Sequence, residues 1–253
     1  QTPVVAHFFP AQTVKFAQLH GDRLYAQCSV YRRAVAIVED VIVDCFDVQG
    51  GITHDWMVHH AGPAPVFSAE MAGGQFEPRD WLYNGTANIR QGAGDTLWDA
   101  RWSVDGVTSR LAMLPAEGTE VFALETYPTD NALITEKDPP CQTLCARRKS
   151  DAPFVAVWDA WKEAPNLTSV SPGSGPKSVR IQTLSNVYYF VFGGEAQFPD
   201  GVSITTDGVF AVYRPSGGLM FAGGTRAAVS TPAGSLRVSS NAVASVAVEF
   251  ASG

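Results

Sequence analysis

The densest run of groups able to do chemistry is His54, Asp55, His59 and His60, residue types that serve as metal ligands or as proton donors and acceptors. Their spacing limits what they can do together. On an extended strand His54 and His60 share a face about 20 Å apart, while Asp55 and His59 share the other face about 13 Å apart. Neither pair can close on one metal ion without a bulge. Two readings of the run stand: a structural His-Asp pair with strand-end histidines, or a cleft-lining role for His54. No metal site is expected in this chain.

Arg32 and Arg33 alternate faces, so one of them can point outward. An arginine here either pairs with Asp44 or Asp47 on a neighbouring strand or offers a bidentate fork to a substrate carboxylate, and Arg33 is the candidate for the second role. Of the six tryptophans, Trp81 falls in a loop-rich stretch and is the candidate platform for stacking on a sugar ring. Tyr83 and Tyr127 are proton donors only in a formal sense, because no partner is visible for either. Glu120 and Glu125 alternate to opposite faces and make no glycosidase pair. No serine sits in a nucleophile elbow, and Cys141 and Cys145 lack the second pair of ligands that zinc needs. No catalytic residue is therefore assigned.

The formal net charge of −7, with Lys and Arg scattered apart from Arg32-Arg33 and Arg147-Arg148-Lys149, excludes nucleic acid as the expected partner. It argues less strongly against an acidic polysaccharide, because a few arginines in one cleft can hold uronate groups on an acidic protein. No apolar run approaches the ~20 residues of a membrane span, and Gln1 opens without a leader pattern, so a soluble chain, mature or truncated and without a membrane partner, is expected. Four cysteines are compatible with two disulfides, and Asn84-Gly85-Thr86 and Asn166-Leu167-Thr168 fit the glycosylation pattern. A secreted or periplasmic location follows as an expectation.

These residues must be positioned by strands. Short runs rich in Val, Ile, Phe, Tyr and Thr alternate with Gly, Pro, Asp and Asn along the chain, and helical periodicity is nearly absent. Asp105-Gly106 and Asp207-Gly208 each stand between two such runs and read as hairpin turns. Leu219 to Ala222 and Ala242 to Phe250 read as the last strands. Gly62 to Arg79 is a long Gly- and Pro-rich loop suited to one wall of a groove. So many strands joined by short turns predict an all-β fold, an antiparallel β-sandwich of two stacked multi-stranded sheets, forming a single domain over residues 1–253.

One further pattern is the order of certain blocks. Tyr31 to Val38 is an arginine-led strand, Val43 to Gly51 an aspartate-bearing strand ending in Gly-Gly, and His54 to His59 a His-Asp-aromatic strand. Trp102 to Leu114 is a strand, an Asp-Gly turn and a strand ending in Leu-Pro. Glu120-Val121, Leu144 to Arg148 and Phe154 to Trp158 complete the series. In this order the blocks resemble the C-terminal β-sandwich portion of heparinase II/III-like polysaccharide lyases. The resemblance implies a larger enzyme: an N-terminal α/α toroid, as a domain or separate chain, beside the sandwich, with an anionic polysaccharide held between them. It also implies β-elimination, in which a base removes the C5 proton of a uronate and an acid, often Tyr, protonates the leaving oxygen. The family's toroid Tyr and His and its His-x-His strand have no counterpart here. No base, acid or cofactor is carried over, and a metal site would belong to the missing upstream part.

Overall fold

The computed structural model describes residues 4–21, 24–60, 62–77, 85–127 and 140–249. Every regular element among them is a β-strand, and the strands pair antiparallel, so the expected all-β fold is what forms. The chain divides into two compact units: residues 1–50, 152–159 and 163–253 form the first, and 51–151 with 160–162 the second.

The first unit opens with the strands β1 (Val4–Pro10), β2 (Val14–His20), β3 (Val30–Val38) and β4 (Val41–Gln49), paired in that order as a meander. Alternation on β3 is the reason: Ala34, Ala36 and Val38 are buried while Arg33 and Ile37 are exposed. The turn between β3 and β4 is only Glu39-Asp40, with Glu39 at φ 49°. The carboxylate of Glu39 accepts hydrogen bonds from Asn166, Asn186 and Tyr188, which tie this turn to the unit's other sheet.

The second unit holds β5 (His54–His60), β6 (Val66–Phe67), β7 (Ala72–Gly73), β8 (Gly85–Ala93), β9 (Trp98–Val104), β10 (Val107–Met113), β11 (Glu120–Tyr127) and β12 (Cys141–Arg148). One sheet runs β5-β12-β11-β8-β7, and β10, β9 and β6 pair side by side. Asp105 at φ 50° and Gly106 at φ 76° form the expected hairpin turn, joining Val104 to Val107. Gly62 to Arg79 is less featureless than its composition suggests, since it carries β6 and β7; its last two residues lie outside the described set.

The remaining strands return to the first unit. β13 (Phe154–Trp161) pairs with β4. A further sheet contains β14 (Leu167–Pro172), β15 (Ser178–Thr183), β16 (Val187–Val191), β17 (Gly194–Gln197), β18 (Ser203–Thr206), β19 (Phe210–Arg214), β20 (Gly218–Thr231) and β21 (Gly234–Glu249). Its order is β14-β15-β16-β19-β20-β18-β17, with β21 along β20. The two sheets of this unit pack face to face, as the stacking of Phe16 on Phe210, centroids 4.2 Å apart, shows. A second apolar cluster, including Tyr189, Phe198, Ile204, Phe221 and Val229, lies on this sheet with Leu236, Val238 and Val246 of β21 against it.

Asp207-Gly208 is not a hairpin turn, contrary to the sequence reading. β18 and β19 do not pair with each other; both lie end to end along β20, with Thr206 opposite Ala227 and Phe210 opposite Ala222. Asp207 is a mid-strand kink, and its carboxylate accepts from the backbone amides of Thr225 and Arg226 at 2.9 Å each. At the same level Gly223 takes φ +67°, and Gly193 and Gly194 take +86° and +83°. Cβ atoms on Gly208 and Gly224 would approach backbone of the adjoining strand at 2.5 Å, so glycine is required for these strands to crease side by side. The strands read as Leu219–Ala222 and Ala242–Phe250 correspondingly fall at the open end of one long β20–β21 hairpin, with Phe250 outside the described residues.

No disulfide joins Cys28, Cys45, Cys141 and Cys145. Cys141 and Cys145 sit on one strand about 13 Å apart. Burial raises the pKa of Cys45 and Cys145, which leaves both thiols protonated and inert.

Candidate functional site

The polar run of β5 lies beside β12 in strict register, with His54 opposite Arg148, Asp55 opposite Arg147 and His59 opposite Thr143. Register alone thus brings the histidine block to the double-arginine block. Arg147 donates Nε and one terminal nitrogen to the two oxygens of Asp55, both at 2.7 Å, and its guanidinium lies over the rings of Phe76 and Phe122. Burial lowers the Arg147 pKa, but the hydrogen bond and charge of Asp55 outweigh it, and the net direction is upward. Arg148 is buried outright and donates to Thr119 Oγ1 and the Leu114 carbonyl; burial pulls it down to about 10, so it remains a cation near neutrality.

His54 is buried, with Nε2 3.3 Å from Asp151. His59 Nδ1 sits 2.7 Å from Thr143 Oγ1, which in turn contacts Thr126, and burial lowers the pKa of the ring. His60 stacks on Trp102, centroids 4.4 Å apart. The four polar residues of β5 therefore go to four different partners. They do not converge on a common point, and among the described residues no cluster of three His, Cys, Asp or Glu could hold a metal ion.

Arg33 is a different case. Its side chain is 49% exposed, and it grips the buried Asp44 with two bonds of 2.9 and 2.7 Å, choosing Asp44 over Asp47. Asp47 instead receives Lys177 at 3.1 Å. Trp81 and Tyr83 lie outside the described residues. Trp98 is a core residue at 1% exposure.

An open cavity lies elsewhere, in the first unit, and sequence reasoning missed it. It measures about 640 Å³ and is lined by β17, β18, β20 and β21, just past the crease. Glu195, Thr205, Ala228 and Arg237 stand opposite one another across these four strands, so they share one face. The signal was present as alternation: Arg226 and Ala228 against Ala227 and Val229, then Arg237 and Ser239 against Leu236 and Val238.

No protein-family model and no curated protein sequence matches the chain. Among solved structures it is similar to heparan sulfate lyase HepC from Pedobacter heparinus, at 14% identity and a TM-score of 0.45. That likeness is weak and partial, covering 71% of this chain and 26% of that one.

Proposed function

We propose that the chain is the β-sheet portion of a secreted or periplasmic polysaccharide lyase that cleaves uronic-acid-containing chains by β-elimination. In this reading it forms one wall of the substrate cleft beside a helical toroid domain or chain, and the residues performing proton transfer belong to that other part. The observation that carries the reading is the order of the sequence blocks, which coincide with β3, β4, β5, β9–β10, the start of β11, β12 and β13. Asp44, Asp47, His54, Arg147 and Arg148 are all buried, so the blocks form a signature of how the sheets are held together.

His54 is buried, and Arg33 already holds a carboxylate, so Arg33 acts on substrate only by exchanging Asp44 for a uronate. The test is electrophoresis and intact mass of the native material together with an ultraviolet assay for unsaturated uronides on a panel of uronans. A helical region on the same polypeptide, or a co-purifying helical chain, with rising absorbance is expected. A lone chain that binds a glycan without turnover would replace this reading with a free-standing binding module; one that neither binds nor turns over would leave a structural domain.

A further inference from the structure

The groove past the crease contains charges that none of the family-like blocks supplies. Arg226 stands opposite Ser239, and Arg237 opposite Ala228, so the two arginines are diagonal neighbours on one face of the β20–β21 ladder. Neither is spent. Arg226 is 78% exposed and makes a loose ion pair with Asp207 Oδ2 at 3.8 Å, an oxygen that also accepts from the Thr225 hydroxyl, while two backbone amides bond Oδ1. Arg237 and Glu195 make no side-chain hydrogen bond or ion pair with a described residue.

The floor between them is made of small side chains, including Thr205, Ala228 and Ser239. At about 640 Å³ the space is of the size that holds small organic ligands, ~300–1,000 Å³. Among its described lining residues no aromatic ring is present, so a neutral sugar would lack the stacking surface it usually needs. The guanidinium fork suits carboxylate and sulfate oxygens, and a carboxylate such as Glu195 suits hydroxyl groups.

We propose that this groove binds a segment of an acidic oligosaccharide, Arg226 and Arg237 gripping its carboxylate or sulfate groups and Glu195 accepting from a ring hydroxyl. The choice of a glycan as ligand rests on the proposed function; the location and the two exposed guanidinium groups rest on the groove itself, whose lining also includes Glu195 and Asp207.

The experiment is calorimetric titration of the full chain with an unsulfated uronate tetrasaccharide, a sulfated one and a neutral one, the first two distinguishing carboxylate from sulfate recognition. At least one acidic ligand is expected to bind, the neutral one not. Arg226→Ala and Arg237→Ala should each weaken binding about tenfold, the double variant should abolish it, and Lys15→Ala, an exposed cation elsewhere in the same unit, should not alter it. Circular dichroism keeps loss of fold separate from loss of binding. Unaltered affinity in the double variant, equal binding of the neutral sugar, or no acidic ligand bound by the unsubstituted chain would each overturn the proposal. Uronide formation by the native assembly, assayed separately, distinguishes the two readings: turnover with an inert groove sinks this site alone, and a binding groove in material without turnover sinks the lyase reading alone.

Discussion

The β5–β12 pair and the β17–β21 groove each offer two arginines near acidic residues, yet they put charge to opposite uses. On β12 the Arg147 side chain is 6% exposed and both of its forks are committed to Asp55 and to two aromatic rings. In the groove Arg226 is 78% exposed and makes only a loose contact of 3.8 Å with Asp207. A buried ion pair is costly to break and unable to receive a ligand, whereas an exposed arginine adds little to stability and is free to bind. Charge density along the chain points to the first region; accessibility points to the second.

The largest effect is expected where that contrast is sharpest. Arg147→Ala strands Asp55 and uncovers Phe76 and Phe122, and should cost about 3–5 kcal/mol in chemical denaturation. The paired change Arg147→Met with Asp55→Leu should recover most of it, and if the single variant unfolded like the parent the pair would not be structural. Next comes the crease. A Cβ on Gly223 would sit 2.8 Å from His7 Cε1 and 2.9 Å from Val209 Cγ2 at φ +67°, so Gly223→Ala should cost about 1–3 kcal/mol and lower affinity at the groove.

Glu39 is intermediate, an exposed carboxylate held by several donors. Burial pushes its pKa up, but the bonds from Asn166, Asn186, Tyr188 and Thr183 outweigh that and bring it below the ordinary 4.5. A depressed folded pKa gives stability that is present above about pH 4.5 and is lost as pH falls further through the folded value. Glu39→Gln should therefore flatten melting temperature against pH in that acidic window and leave its slope near neutrality unaltered. The smallest effect belongs to Arg101→Ala, whose exposed pairing with Asp99 should be worth no more than about 0.5 kcal/mol by thermal denaturation.

Much of the fold was legible because alternation survives wherever one sheet face is buried. β3, β4, β10 and β13 stand close to where their Val, Ile and Phe runs place them, and Asp105-Gly106 turns as its residues demand. Asp207-Gly208 misled because the dipeptide that closes a hairpin also serves a crease; the deciding contacts, from Thr225 and Arg226, come from a strand that follows it. The same crease hid the groove, since Gly223-Gly224 reads locally as the end of a strand. Of the polar run, strand spacing alone sets His54 far from His60 and Asp55 far from His59. That Asp55 belongs to Arg147 depends on the pairing of β5 with β12, 92 residues apart in sequence, which local pattern does not specify.

The central claim is that the buried arginine holds the fold and the exposed pair holds the ligand. It is tested most directly by measuring unfolding and binding of an acidic tetrasaccharide on the same two proteins, Arg147→Ala and the Arg226→Ala, Arg237→Ala double variant. The account predicts that the first loses stability but binds with parental affinity at temperatures where it stays folded, while the second melts like the parent and does not bind. Binding lost in the first while it remains folded, or retained in the second, would contradict it.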